Sequence, residues 1–321
     1  MDKDKDNNKD NDQDNNIESL IICTTNTPKI LHLYKSQEVQ NYYGLQMWYT
    51  KYKSLGSGSF GEVYLIISNI INKMLALKMT YVHNNVNKRE IQNFHIIRKI
   101  DECHKYIPDI YHIFQKDDYN HIVMDFIVGQ HLSYEYFVSI KSIKSFIYLF
   151  KNICVMISCF HKYKFIINDL KPDNMIINYK MEPYLIDLGM IAHFDVLVDI
   201  KIGTPVYIPP EIMNDDIQSN DKKDIWALGV MMYETITNKC QFENIIIEQN
   251  KRYHMLCNYL DPVLDEVQNE LHESLYLKFG IECDKDISMI INIIMSCLCV
   301  DHTKRTSIVD ILTSPLFVNN T

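Results

Sequence analysis

The stretch Asn168-Asp169-Leu170-Lys171-Pro172-Asp173-Asn174, followed by Ile186-Asp187-Leu188-Gly189, decides how the chain is read. Between these polar runs lie two short apolar segments, 175–178 and 184–186, with strand character. Asn174 immediately precedes the first segment and Asp187 immediately follows the second. If residues 181–183 turn an antiparallel hairpin, its open end brings Asn174 and Asp187 side by side. Two oxygen donors there suit Mg2+, which takes few protein ligands and completes its shell with phosphates and water. Asp169 is then placed to accept the proton of an incoming hydroxyl, with Lys171 balancing charge on a transferred phosphoryl group.

Toward the N-terminus, Leu55-Gly56-Ser57-Gly58-Ser59-Phe60-Gly61-Glu62-Val63 contains G-x-G-x-x-G. Dinucleotide-binding folds share that pattern, but there the loop opens a helix. Here residues 63–67 continue as strand, so the glycines sit at a hairpin tip where backbone amides can close over phosphates. Ala76 and Lys78, two apart on a further strand, face one side. The small residue admits a flat base and the ammonium reaches the phosphates beside it. A helical pattern begins near Asn87, with Glu90, Phe94 and Ile97 on one face. A carboxylate aimed at a core needs a partner, and Lys78 is the one expected. Segments 49–55, 62–68, 74–79 and 121–126 read as strands. Beyond Gly129 the chain is mainly helical, with Ile147, Phe150, Cys154 and Ile157 at helix spacing.

In this order the motifs resemble those of the eukaryotic-type protein kinase family, serine/threonine-specific branch, over residues 48–317. Further landmarks carry the resemblance. Met124 is similar to the family's gatekeeper before a hinge of Asp125-Phe126-Ile127. Gly203-Thr204-Pro205-Val206-Tyr207-Ile208-Pro209-Pro210-Glu211 resembles the end of its activation loop, and Asp224-Ile225-Trp226-Ala227-Leu228-Gly229 its central helix. Arg305 falls where the family pairs an arginine with the glutamate at Glu211. Lys171 and Thr204 follow the serine/threonine pattern rather than the tyrosine one.

The resemblance implies an α+β, two-lobed fold: a small β-rich N-lobe with one main helix (48–126) and a larger, mainly helical C-lobe (127–318). ATP and Mg2+ are the implied cofactors, with ATP in the cleft between lobes. Leu55, Gly56, Ser57, Gly58, Ser59, Phe60, Gly61, Glu62, Val63, Ala76, Lys78, Glu90, Met124 and Ile176 are the implied nucleotide-binding set. Asp169, Lys171 and Asn174 are the implied catalytic residues, and Asn174 and Asp187 the metal ligands. Protein substrates are the implied partners. The rival reading is a pseudokinase scaffold without turnover.

Departures from the family pattern are specific. Its His-Arg before the base is Ile167-Asn168, the Phe after the metal aspartate is Leu188, the Ala before Pro-Glu is Pro209, and a later Pro-Phe is Gln241-Phe242. The arginine that would hold a loop phosphate is Asn168, a second basic position is Ala192, and the phosphoacceptor position is Ile200. The activation loop is therefore expected to be held by apolar contacts of Ile191, Phe194, Val196, Val198 and Ile200, without phosphorylation. Asp173 and Glu234 fall where basic-directed kinases place carboxylates, while a third such position holds His131. A mild preference for Arg or Lys before the phosphoacceptor follows.

Composition bounds the rest. Hydrophobic residues make up 47% and charged residues 23% of 321 residues, as in a globular chain. A net charge of −9 argues against a dominant nucleic-acid role. Residues 1–16, almost entirely Asp, Asn, Lys and Gln, are expected to form a disordered acidic tail, and 17–47 an extension draped over the next domain. No apolar run is judged long enough for a membrane helix, and the acidic N-terminus lacks a secretory core. The expected location is intracellular and cytoplasmic, or a virion if the AT-rich composition reflects a large DNA virus. The nine cysteines are expected to be reduced core thiols. Leu256, Leu260, Leu264, Val267 and Leu271 recur at helical spacing, as a packing face or a docking one.

Overall fold

The computed structural model describes residues 19–22, 29–32, 37–40, 46–58, 61–68, 72–82, 85–116, 118–195, 203–212, 220–239, 253–280 and 284–319. The 1–16 tail, Ser59, Phe60, Val196, Val198, Ile200 and Gln241-Phe242 lie outside them, as do the side chains of Leu256 and Leu260. The chain divides into two units, residues 1–83 with 110–126 and residues 84–109 with 127–321.

The first unit is a sheet. Strands β1 (Ser19–Ile22) and β2 (Lys29–His32) pair as a separate hairpin. Six others form one antiparallel sheet in the order β3-β4-β5-β6-β8-β7: β3 (Gln37–Gln40), β4 (Gln46–Gly58), β5 (Gly61–Ser68), β6 (Lys73–Tyr81), β7 (Ile110–Lys116) and β8 (Tyr119–Asp125). Period-two alternation buries Tyr49, Ile66, Leu75, Leu77 and Val123 as its core. Part of the 17–47 extension is strand rather than a draped segment, because β3 pairs with β4 (Glu38 opposite Trp48) and covers backbone groups that an edge strand would leave open. Strand β7 went unread because His112 and Gln115 interrupt its apolar alternation.

The second unit is mainly helical. Helices α1 (Asn85–Ile97) and α2 (Asp101–His104) group with it. The hydrogen bonds explain the grouping: Leu185 N–H donates to Tyr106 O (2.8 Å), and Asn93 on α1 bonds the backbone after Asp187. Helices α3 (Tyr134–Ser139), α4 (Ile143–Lys162), α5 (Lys222–Thr237), α6 (Tyr253–Phe279), α7 (Asp284–Cys297), α8 (Ile308–Leu312) and α9 (Pro315–Asn319) follow. Between them run a three-stranded sheet, β12-β11-β9, from β9 (Gly129–His131), β11 (Met175–Asn178) and β12 (Pro183–Leu185), and a short pair, β10 (Phe165–Ile166) with β13 (Ala192–His193).

Helix α4 corrects the membrane expectation: at 20 residues it is long and apolar enough to cross a bilayer. Twelve of those residues, among them Phe146, Phe150, Ile153 and Ile157, are instead buried in the unit. Val267 and Leu271 on α6 are likewise buried, which favours the packing reading of that stripe. The thiol expectation also changes. Cys103 on α2 and Cys159 on α4 form a disulfide, with Cα atoms 5.8 Å apart, because the two helices pack side by side. Cys154 and Cys297 are free and buried, and burial pushes the Cys297 thiol up to about 12.

Candidate active site

Local chemistry makes the hairpin that carries the metal-ligand pair. Met181 takes a left-handed conformation (φ 61°), and the Asn178 Oδ1 accepts the N–H groups of Lys180 (2.8 Å) and Glu182 (3.0 Å). Met175 then pairs with Leu185, and Ile186 N–H donates to Asn174 O at 3.1 Å. Asn174 and Asp187 therefore emerge at the same end of the hairpin.

Asp169, 7% exposed, sits at the centre of a polar cluster. Its Oδ1 accepts Thr204 N–H and Thr204 Oγ1–H, both at 2.9 Å. Its Oδ2 accepts Asn174 Nδ2 at 2.9 Å and pairs with Lys171 Nζ at 3.0 Å. Lys171 Nζ also donates to Thr204 Oγ1 at 2.6 Å. The sequence-predicted catalytic triplet is thus brought together, and Thr204 joins it from 35 residues away.

A second carboxylate holds the loop beneath. Asp224, on α5 and 1% exposed, accepts Ile167 N–H at 2.9 Å and Asn168 N–H at 3.0 Å, and pairs with His161 Nε2 at 2.8 Å. Asn168 has a left-handed backbone (φ 66°), a region Asn enters more readily than most residues. Its Nδ2 donates to Met190 O at 3.0 Å, in the segment after Asp187. This corrects the purely apolar account of the loop. Ile191 and Ala192 are buried, but a side-chain amide, the Ile166–Ala192 strand pairing and Phe194 N–H on Lys164 O (2.8 Å) also hold its start. His161 carried no sequence signal beyond residue type, whereas Thr204 was legible as part of the 203–211 motif but its contact with Asp169 was not.

The donor set fits a hard divalent cation. Both amide bonds of Asn174 Nδ2 go to Asp169, to the carbonyl oxygen and to Oδ2, each at 2.9 Å, which leaves its Oδ1 as the ligand atom. Asp187 uses Oδ1 to accept Gly189 N–H at 2.9 Å, which orients the carboxylate. Amide and carboxylate oxygens on one hairpin end are Mg2+ chemistry rather than zinc chemistry.

In the first unit, Gly58 pairs with Gly61 at the β4–β5 tip, Val63 lies opposite Lys78, and Ala76 opposite Met124. Ala76, Lys78 and Met124 are buried in the sheet; Leu55, Ser57 and Glu62 are exposed. Gly61 is required: its φ is +140°, and a Cβ would fall 1.8 Å from Met79 O. At the end of β8, Asp125 accepts from Lys73 (2.7 Å) and Tyr111 (2.9 Å), and the bonds of Lys73 to Asp125 and to Tyr111 raise its pKa. In the second unit, Glu90 on α1 is buried, and Ile176 is half-buried between His131 and Tyr184.

Beside Asp169's loop lies a cavity of about 410 Å3 lined by Glu135, Pro172, Asp173, Tyr207, Glu234 and Asn238, among others. Tyr207 Oη donates to Glu234 at 2.8 Å. Glu135 is a third carboxylate in the cavity lining, beside Asp173 and Glu234, whereas His131 is not among its described lining residues. Behind the loop's far end, Arg305 and Glu211 form a buried bidentate pair at 2.6 and 2.9 Å.

A family model described as the protein kinase domain matches residues 49–317. The chain belongs to that family. A probable serine/threonine-protein kinase of Dictyostelium discoideum is 24% identical over 84% of this chain and 30% of its own length. The cAMP-dependent protein kinase type 3 of Saccharomyces cerevisiae is 28% identical over 60% of this chain and 49% of its own. Calcium-dependent protein kinase 4 of Plasmodium falciparum is 30% identical over 58% of this chain and 36% of its own. The chain thus spans less than half the length of each of these relatives.

Proposed function

We propose that the chain transfers the γ-phosphoryl group of ATP to Ser or Thr hydroxyls of proteins. The observation that carries this reading is the state of Asp169: a nearly buried carboxylate held by Thr204, Asn174 and Lys171, one hairpin end from Asp187. Bound Mg2+ would neutralise charge on the phosphates. Asn174 and Asp187 would hold it, and Lys78 of the first unit would bind the phosphates. Asp169 orients the substrate hydroxyl and takes its proton, while Lys171 balances the negative charge that develops on the transferred group. Thr204, bonded to both, sets their separation.

Two finer readings follow. Asn168 holds the loop's start directly, so activity proceeds without loop phosphorylation. The cavity walled by Glu135, Asp173 and Glu234 takes a basic substrate side chain and gives a mild preference for Arg or Lys before the phosphoacceptor. Purified protein with Mg·ATP and a peptide array tests the main reading. Turnover that is lost in Asp187→Asn supports it; ATP binding without turnover in the wild type would favour the scaffold reading.

A further inference from the structure

Helix α1 carries a buried polar side chain to which the site as described assigns no task. Asn93, three residues after Glu90 and 8% exposed, donates its amide protons to two backbone carbonyls beyond Asp187. Its Nδ2 lies 2.6 Å from Leu188 O and 2.8 Å from Ile191 O. Those carbonyls bound a single turn, closed by Ile191 N–H on Leu188 O at 3.3 Å. Gly189, inside the turn, backs onto the same helix: a Cβ there would lie 2.7 Å from Val86 Cγ1. Leu188 and Ile191 are both buried. Asp187 precedes the turn, and its Oδ1 accepts the Gly189 N–H. On a core-facing position an apolar side chain would pack equally well, but it would take the side-chain donor from both carbonyls and leave Leu188 O with only the long Ile191 N–H bond. The amide is there for the turn.

We propose that Asn93 is a positioning residue: it fastens the 188–191 turn to α1 and so sets the Asp187 carboxylate for metal binding. The proposal rests on the reading of Asp187 as a magnesium ligand. It adds a second fastening to the one Asn168 makes at Met190 O, from a separate element, helix α1. With both in place the carboxylate is set by the resting fold.

Hydrogen exchange on the full chain, read by mass spectrometry, tests this without relying on activity. In Asn93→Leu, exchange across residues 188–192 should quicken about tenfold, the factor one lost buried hydrogen bond carries, while α4 keeps its protection. The Mg2+ concentration for half-maximal turnover should rise about tenfold, as when a metal ligand loses its orienting partner, with the peptide KM unchanged. Asn93→Gln, which keeps the donor on a longer arm, should restore part of both. Should Asn93→Leu fail to fold, Asn93→Ser keeps one donor and should show the same two effects at smaller size. Unchanged exchange at 188–192, or a rise shared with α4, would overturn the proposal. So would a lowered melting temperature with an unchanged Mg2+ requirement. A wild-type chain without turnover counts against the kinase reading, whereas normal wild-type turnover with unaltered exchange in Asn93→Leu counts against the fastening alone.

Discussion

Arg305→Met removes the cation from the most completely buried ion pair described in the second unit. Arg305 makes five hydrogen bonds: to Glu211 Oε1 and Oε2, to Lys222 O, and twice to Cys299 O. Its guanidinium also lies 5.0 Å from the Trp226 ring centroid. Arg305 and Glu211 are each 2% exposed, so solvent cannot replace the lost partner. Breaking such a pair from one side leaves an uncompensated charge and costs about 3–5 kcal/mol. A domain's whole stability is typically ~5–15 kcal/mol, so the variant should be near the edge of folding. Arg305→Met/Glu211→Leu removes both charges and should recover about 2 kcal/mol relative to the sum of the single changes. Urea unfolding reads both numbers. In a Trp48→Phe background Trp226 is the only tryptophan, so its fluorescence follows the second unit alone. A single-variant loss below about 1 kcal/mol, or strict additivity in the double variant, would refute the claim that this pair is buried and mutually dependent.

Treatment with phosphatase, checked by intact mass, should leave turnover unchanged; a large loss would show that a loop phosphate is needed after all. Gly61→Ala should destabilise the first unit by more than about 2 kcal/mol while Gly56→Ala, with open space around it, should cost under about 1 kcal/mol, as compared by thermal unfolding. Burial holds the Lys223 amine down at about 8, below its ordinary 10.5. Between those values the unfolded chain binds the extra proton, so this residue's contribution to stability rises with pH across the window. The stability difference between wild type and Lys223→Met should therefore move in favour of wild type from pH 8 to 10.5; a flat difference would exclude the buried, deprotonating amine.

What the sequence revealed followed the range of the interactions involved. Asn174 and Asp187 could be placed together because a hairpin is a local object with period-two geometry. The Gly61 turn, the α1 face of Glu90, Phe94 and Ile97, and the apolar stripe of α4 were legible for the same reason: each is a short-range pattern. The grip of Thr204 on Asp169, of Asp224 on the 167–168 amides and of Asn93 on the Leu188 and Ile191 carbonyls joins residues far apart in the chain. No spacing rule announces those contacts. The one available signal for Asn93 was an amide on a helix face otherwise given to Phe94 and Ile97. Cysteine pairing failed for a related cause, since a count of nine gives composition but not which helices pack together.

The bond between Cys103 and Cys159 has a topological effect. Both sulfurs belong to the second unit, yet the chain between them leaves that unit, forms β7 and β8 in the first, and returns. The cross-link therefore closes a covalent ring around both passages. A protease that cuts between Lys116 and Tyr119 opens the ring without releasing a fragment: the halves stay one molecule, migrating as a single band until a thiol reductant parts them into two.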